Sequence, residues 1–104
     1  MYGLRDSDLE CIHQAFKRYP NIQEAVLFGS RAKGTYHPGS DVDIALKGTN
    51  LKDTVLALSI YLNQESIMPY EFDLIDYQAI DNKELLEHID RVGIPVYKVE
   101  FRQP

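Results

Sequence analysis

The chain has 104 residues, of which 44% are hydrophobic, and it carries a formal net charge of -5. This apolar content is enough for one compact core and the length excludes a second one, so we expect a single domain spanning residues 1–104. The acidic balance argues against broad, direct binding of nucleic acid, and the absence of an export signal or a long apolar run favours a cytoplasmic protein without membrane contact.

The amino-terminal part of the chain predicts a helix followed by a buried strand. Ser7 and Glu10 have the spacing of a capping box, and apolar residues then recur at helical spacing until Pro20. The apolar run at 24–28 has the length of a buried strand and ends at Gly29. The chain is therefore expected to begin with one helix and one strand of the core.

The next segment joins a glycine-containing turn to a second strand. GSRAKG at 29–34 predicts a turn that opens a short helix, and residues 35–40 have the composition of a loop. The sequence DVDIAL then alternates strictly from Asp41 to Leu46, as a strand does. Its apolar face carries Val, Ile and Leu, so the opposite face begins with Asp41 and Asp43.

A longer helix and a third strand are predicted in the middle of the chain. Asn50 is expected to cap a helix whose leucine stripe faces the core and needs no cofactor to explain it. Residues 70–75 alternate as a strand, with Phe72 and Leu74 on one face and Asp73 on the other.

The chain closes with a helix and a terminal strand. Asp81 and Glu84 have capping-box spacing, and the helix is expected to end with Gly93 in the C′ position. IPVYKVEF at 94–101 predicts a strand in which Pro95 indicates a sheet edge. The order of elements predicts an α/β or α+β fold, a small mixed sheet of about four strands with helices packed on it.

Aspartates on the two polar strand faces are the candidate metal ligands. Asp41 and Asp43 project from one face with Cα atoms about 6.6 Å apart, so their carboxylates can lean towards a common point. Asp73 lies among apolar residues, where it is costly unless paired or coordinating, and Asp76 replaces it if the strand register differs. Such hard oxygen ligands suit a pair of Mg²⁺ ions together with substrate phosphates. The alternative is a solvated strand face.

The Gly-Ser turn is the candidate phosphate site. Gly29 and Ser30 lie where a strand passes into a short helix, and free N–H groups there favour an anion. Glycine lets the backbone approach a phosphate closely, and the serine hydroxyl adds a donor. Arg31 and Lys33 would add positive charge nearby, although surface residues of this kind are more often only solvated. The turn and the carboxylates together would form a binding site for an NTP.

A Gly-Ser pair at 29–30, followed after ten residues by Asp-Val-Asp at 41–43, resembles the signature of the minimal nucleotidyltransferases in the DNA polymerase beta-like superfamily. The resemblance extends from the first helix through Asp73. It implies the nucleotidyltransferase fold, two Mg²⁺ ions on Asp41, Asp43 and Asp73, and the triphosphate of ATP or another NTP on the 29–30 turn. It also implies transfer of a nucleoside monophosphate to an acceptor hydroxyl, which attacks the α-phosphorus.

Stand-alone members of this family are often paired with a small helical protein of the HEPT type, as antitoxin and toxin. The resemblance therefore implies an antitoxin that adenylylates a tyrosine of a helical partner, which would contact exposed tyrosines and the edge strand Val96 to Phe101. Two alternatives are a non-catalytic antitoxin that neutralises its partner by association and a nucleotidyltransferase acting on a small molecule such as an aminoglycoside. The base of the NTP, the acceptor and the oligomeric state stay open at this point.

Overall fold

The computed structural model describes residues 1–99, which form a mixed sheet of four strands with helices on both faces. The helices are α1 (Asp6–Lys17), α2 (Gly29–Lys33), α3 (Lys52–Ile60) and α4 (Lys83–Val92), and the strands are β1 (Ile22–Phe28), β2 (Val42–Gly48), β3 (Phe72–Asp76) and β4 (Ile94–Lys98). A π-helical turn, Tyr61–Glu65, extends α3, and a 3₁₀ turn, Tyr77–Ala79, follows β3. The predicted mixed α/β architecture is confirmed. No helix within residues 1–99 has the length and apolar character needed to cross a membrane.

The strand order in the sheet is β3-β2-β1-β4. β1 runs antiparallel to both β2 and β4, whereas β2 and β3 are parallel. A parallel pair requires a crossover connection, which α3 and the turn after it supply. β4 lies at a sheet edge, as Pro95 indicates, and its last residue is Lys98. Residues 100 and 101 of the predicted strand lie outside the described residues.

Both faces of the sheet are covered by apolar side chains. On one face, α1 and α3 pack over Val42, Ile44 and Leu46, all of which are at most 1% exposed. On the other face, α4 packs Ile89 against a smaller cluster that includes Ala45. The predicted alternation of β2 is therefore confirmed. Burying a Leu, Ile or Phe side chain contributes about 1.5–3 kcal/mol, so these two layers dominate the stability of the domain.

The start of α1 differs from the prediction because Asp8 takes the capping role. The capping box of Ser7 and Glu10 is wrong: the helix begins at Asp6, and Asp8 Oδ2 accepts the backbone N–H of Arg5 at 2.9 Å. The Arg5 guanidinium also forms an ion pair with Asp8 at 3.0 Å. The hydroxyl of Tyr70 donates to Asp8 Oδ2 at 2.6 Å, which ties α1 to the segment before β3. We call Arg5, Asp8 and Tyr70 the Asp8 network.

The other predicted helix ends also need correction. Asn50 does not cap α3; it lies outside the helix with a φ of 50°, and no side chain caps that end. Asn82, not Asp81, caps α4, because its Oδ1 accepts two backbone N–H groups of the first turn at 2.9 and 3.2 Å. Gly93 follows α4 with a φ of −59°, so it is not left-handed as expected. Its small size is needed because a Cβ there would collide with the carbonyl of Ile89.

Candidate functional site

Three strand termini lie at the same end of the sheet: the carboxyl terminus of β1 and the amino termini of β2 and β3. In register, Phe28 is opposite Asp43, and Asp43 is opposite Asp73. Because adjacent strands lie about 4.8 Å apart, the side chains of Asp43 and Asp73 are neighbours on one face. Asp41 directly precedes β2. We call Asp41, Asp43 and Asp73 the acidic edge.

The structure separates Asp73 from Asp76, which the sequence left as alternatives. Asp76 lies at the far end of β3, opposite Leu46. Its Oδ1 accepts the backbone N–H of Gln78 at 3.0 Å, so Asp76 caps the 3₁₀ turn that follows the strand. Of the two aspartates, it is therefore Asp73 that lies beside Asp43.

The electrostatic setting of Asp43 is unfavourable for its charged form. Partial burial raises the pKa of Asp43 above its ordinary value, and repulsion from Asp73 and Asp41 raises it further. The guanidinium of Arg31 opposes these effects and lowers the pKa in part. Among the described residues, no hydrogen bond contributes to the shift. A carboxylate in this setting destabilises the fold unless a cation compensates its charge.

Gly29 brings the backbone of the turn against the acidic edge. Its φ is 73°, in the left-handed region that favours glycine. A Cβ at this position would collide with a carboxyl oxygen of Asp43. Glycine therefore allows the backbone of the turn to lie this close to the carboxylate. Ser30 follows at the start of α2 and is half-buried. The predicted turn that opens a short helix is confirmed.

His88 also reaches this turn, which sequence reasoning missed. Its Nε2 accepts the backbone N–H of Gly29 at 3.1 Å. The two residues are 59 positions apart, so no local pattern could have indicated the contact. From the sequence, His88 is simply a histidine on the last helix, and only the packing of α4 against β1 and α2 brings it to the site.

Arg31 is buried, which differs from the expected surface cation. Its side chain is 2% exposed, and Nη1 donates to the carbonyl of Tyr2 at 3.0 Å. Nε and Nη2 both donate to the carbonyl of Ser40, at 3.2 and 2.8 Å. The guanidinium also lies over the rings of Tyr36 and Tyr70, at 5.4 and 5.1 Å from their centroids. With its donors engaged by backbone carbonyls, Arg31 organises the protein around the site.

The two expected cations of the turn therefore have different placements. Arg31 holds Ser40, the residue directly before Asp41, and so fixes the start of β2. Lys33 lies on α2 with its side chain exposed to solvent. Of the two residues, Lys33 is the one whose side chain is free to meet a ligand from solution.

The oxygen ligands of the acidic edge fit magnesium chemistry, although they do not form a closed metal cage. Within residues 1–99, no three His, Cys, Asp or Glu groups lie close enough together to form a metal cluster. Magnesium commonly binds through one or two carboxylates, keeps several waters and takes further oxygens from substrate phosphates. The adjacent carboxylates of Asp43 and Asp73 match this requirement for a cation that binds together with a nucleotide.

Comparison with known proteins shows similarity to nucleotidyltransferases. A sequence model of the polymerase beta nucleotidyltransferase family matches residues 10–101. The protein adenylyltransferase MntA of Shewanella oneidensis is 32% identical over 60 residues. These residues are 58% of this chain and 43% of the relative, so the match spans less than half of that protein.

Solved structures are similar in fold. One matched chain comes from a toxin–antitoxin crystal structure with AMP-PNP, with a TM-score of 0.65 and 23% identity over 89% of this chain and 75% of the other. Another comes from a structure of a tri-AMPylated Shewanella oneidensis HEPN toxin in complex with an MNT antitoxin, with a TM-score of 0.65 and 20% identity. That match covers 88% of this chain and 70% of the other. The predicted nucleotidyltransferase fold is confirmed.

Proposed function

The chain belongs to the polymerase beta nucleotidyltransferase family, and from this premise we propose that it transfers AMP from ATP to a hydroxyl group of a partner protein. The observation that carries the proposal is the pairing of Asp43 with Asp73 beside Gly29, whose backbone is so close that a Cβ would collide with the Asp43 carboxyl oxygen. Carboxylates attract cations, and the N–H and hydroxyl of Ser30, directly after Gly29, can donate to phosphate, so the carboxylates and the turn supply complementary halves of a nucleotide site.

Asp41, Asp43 and Asp73 would hold magnesium, which we expect as two ions. Magnesium would compensate the charge of the triphosphate and make the acceptor hydroxyl more acidic. The raised pKa of Asp43 supports this assignment, because a bound cation would offset both the burial and the repulsion from Asp73 and Asp41 that raise it. The contribution of the protein is to keep these oxygen ligands beside the turn at which the phosphates would arrive.

The 29–30 turn would bind the triphosphate. α2 has five residues, so its dipole is small, and direct hydrogen bonds from backbone N–H groups and the Ser30 hydroxyl would carry most of the binding. Lys33, which is exposed on α2, would add charge at the rim of the site. Arg31 would contribute indirectly, by fixing Ser40 ahead of Asp41 and by lowering the pKa of Asp43 in part.

In the proposed reaction, the acceptor oxygen forms a bond to the α-phosphorus of ATP, and the bond from that phosphorus to the pyrophosphate oxygen breaks. The proton of the acceptor hydroxyl passes to a carboxylate, for which Asp73 is the candidate because it is exposed beside Asp43. Pyrophosphate leaves as the second product. Catalysis by the protein would rest on positioning and charge compensation, as is general for phosphate transfer.

We further propose that the acceptor is a tyrosine of a helical toxin of the HEPT or HEPN type, with this chain as the antitoxin. Two similarities support this pairing. One relative is a protein adenylyltransferase, and one structure similar in fold belongs to a complex in which the HEPN toxin is AMPylated. The net charge of -5 would favour a basic partner, with electrostatic steering that weakens as the salt concentration rises.

Co-purification of the native protein followed by intact-mass measurement tests this proposal. After incubation with ATP and Mg²⁺, we expect a helical partner that carries the added mass of one or more AMP groups, and an Asp41→Asn protein should leave the partner unmodified. A partner that stays bound but never gains mass would favour the non-catalytic antitoxin. A lone domain that modifies an aminoglycoside would favour the small-molecule enzyme. Either result contradicts the proposal.

A further inference from the structure

We propose that His88 is a positioning residue, which fixes the Gly29 turn through a hydrogen bond from the Gly29 N–H to its imidazole. The inference rests on the proposed function, because the turn matters here as the binding site of the triphosphate. The hydrogen bond is 3.1 Å long, from the backbone nitrogen of Gly29 to His88 Nε2. It joins α4 to the turn that follows β1.

The imidazole is held in place by its neighbours. His88 packs edge-on against the ring of Phe28, with centroids 6.2 Å apart and an interplanar angle of 82°. Phe28 is itself buried and directly precedes the turn. Ile89, the next residue of α4, is 2% exposed and anchors the helix in the smaller core cluster. Core packing thus sets the position of His88, and His88 transmits that position to Gly29.

The hydrogen bond fixes the form of the imidazole. A ring nitrogen that accepts a hydrogen bond carries no proton, so the contact requires the imidazole tautomer with its proton on Nδ1. This assignment follows from the donor, because a backbone N–H can only donate. The Nδ1–H tautomer is therefore a direct signature of the contact.

The contact also defines which groups of the turn meet the nucleotide. Because the N–H of Gly29 is directed at His88, the donors left for phosphate begin with the N–H and hydroxyl of Ser30. Gly29 has a φ of 73° and lies against the carboxyl group of Asp43. Its position therefore sets the spacing between the phosphate donors and the acidic edge, and His88 holds that spacing.

The test compares three variants by calorimetric titration with ATP and Mg²⁺, alongside their thermal midpoints. His88→Leu removes the acceptor and should bind ATP about tenfold more weakly. His88→Gln retains an oxygen acceptor at a similar reach and should recover most of the affinity. His13→Leu is the matched control, because His13 lies on α1, away from the turn, and makes an edge contact with Tyr97 of β4. This variant should bind ATP as the wild type does.

Nitrogen-15 NMR of the wild-type protein supplies a readout that does not depend on a variant that folds. The expected result is an Nδ1–H tautomer at His88 and a scalar coupling between the Gly29 and His88 Nε2 nitrogens across the hydrogen bond. An Nε2–H tautomer, or an ATP affinity in folded His88→Leu equal to or tighter than that of the wild type, overturns this inference alone. Wild-type protein that binds no ATP overturns the proposed function as well.

Discussion

Asp8 is buried and Asp43 is half-buried, yet their pKa values move in opposite directions. In the Asp8 network, hydrogen bonds from the side chain of Arg5, with a further one from Tyr70, hold the pKa of Asp8 down to about 2. In the acidic edge, burial and repulsion from Asp73 and Asp41 raise the pKa of Asp43. The charge of Asp8 is compensated by groups of the fold, whereas the charge of Asp43 is only partly compensated, by Arg31.

The difference separates a structural acid, Asp8, from Asp43, the acid proposed to bind a cation. A carboxylate with a lowered pKa stabilises the native state, whereas one with a raised pKa costs stability whenever it is ionised. Unfavourable settings of this kind persist where a ligand relieves them, and they are concentrated at functional sites. Variants of the two sites should therefore change different properties of the protein.

Replacing the central carboxylate of the acidic edge should have the largest effect. Asp43→Asn should lower the rate of transfer by at least about 10²-fold, or about 2.7 kcal/mol of barrier, because a ligand of the cation loses its charge. The fold should survive with an unchanged or higher thermal midpoint, since the substitution removes repulsion from Asp73 and Asp41. Initial rates with labelled ATP and a thermal melt measure the two effects.

The matched control for this variant is Asp76→Asn, on the same strand as Asp73. Asn retains an oxygen that accepts the N–H of Gln78, so the 3₁₀ turn should persist and transfer should stay near the wild-type rate. Near-normal transfer by a folded Asp43→Asn protein would contradict the metal assignment. An equal loss in Asp76→Asn would contradict the choice of Asp73.

Removing Asp8 should reduce the stability of the protein without changing its affinity for ATP. Asp8→Ala should lower the free energy of unfolding by about 2 kcal/mol, the equivalent of a pKa lowered from 3.8 to about 2. The part due to Arg5 is screened because that side chain is 67% exposed, so the figure is an upper value. Urea unfolding measures the loss, with Asp6→Ala, an exposed aspartate of the same helix turn, as control. A loss of ATP affinity in folded Asp8→Ala would contradict the assignment of a purely structural role to Asp8.

The pH dependence of unfolding should sharpen the same contrast. Because the pKa of Asp8 is lowered from 3.8 to about 2, its stabilisation is present above about pH 4 and is lost as the pH falls towards 2. The raised pKa of Asp43 gives the opposite sign, since stability falls as the pH rises through its titration. Asp8→Asn should flatten the acid loss, and Asp43→Asn should gain stability at neutral pH but not at low pH. Urea titrations across pH 2 to 7 would reveal parallel curves if this account is wrong.

Changing the turn should have the smallest effect. Ser30→Ala should weaken ATP binding by about fivefold, or about 1 kcal/mol, because one hydroxyl donor is lost and the backbone donors remain. Ser59→Ala, a half-buried serine on α3, is the matched control and should bind ATP normally. Calorimetry with ATP and Mg²⁺ makes the comparison. Equal affinities for Ser30→Ala and the wild type would count against the turn as a phosphate site.

Local pattern was enough to predict the strands and their faces. Alternation along β2 and β3 depends only on the two-residue period of a strand, so Ile44 and Leu74 could be assigned to the core and Asp43 and Asp73 to the other face. The Gly-Ser turn followed from glycine's freedom at Gly29. The helix starts were less predictable, because several polar residues near each start can accept the same N–H groups.

Tertiary contacts account for the features that no local sequence pattern could predict. The strand order brings Asp43 next to Asp73, and neither the order nor the register is encoded in a local pattern. Arg31 looks like a surface cation until the loop carbonyls and two tyrosine rings enclose it. His88 reaches Gly29 only because α4 folds back over the end of β1. Each of these features depends on contacts between separate segments of the chain.

The position of the label on ATP tests the central claim most directly. Wild-type protein, its co-purified partner and Mg²⁺ would be incubated in parallel with ATP labelled at the α-phosphorus and ATP labelled at the γ-phosphorus, with Asp43→Asn as the inactive control. We predict that the partner acquires label from the α-labelled ATP only, and that the γ label appears in pyrophosphate. Label on the partner from γ-labelled ATP, or equal α labelling by folded Asp43→Asn, would contradict nucleotidyl transfer at the acidic edge.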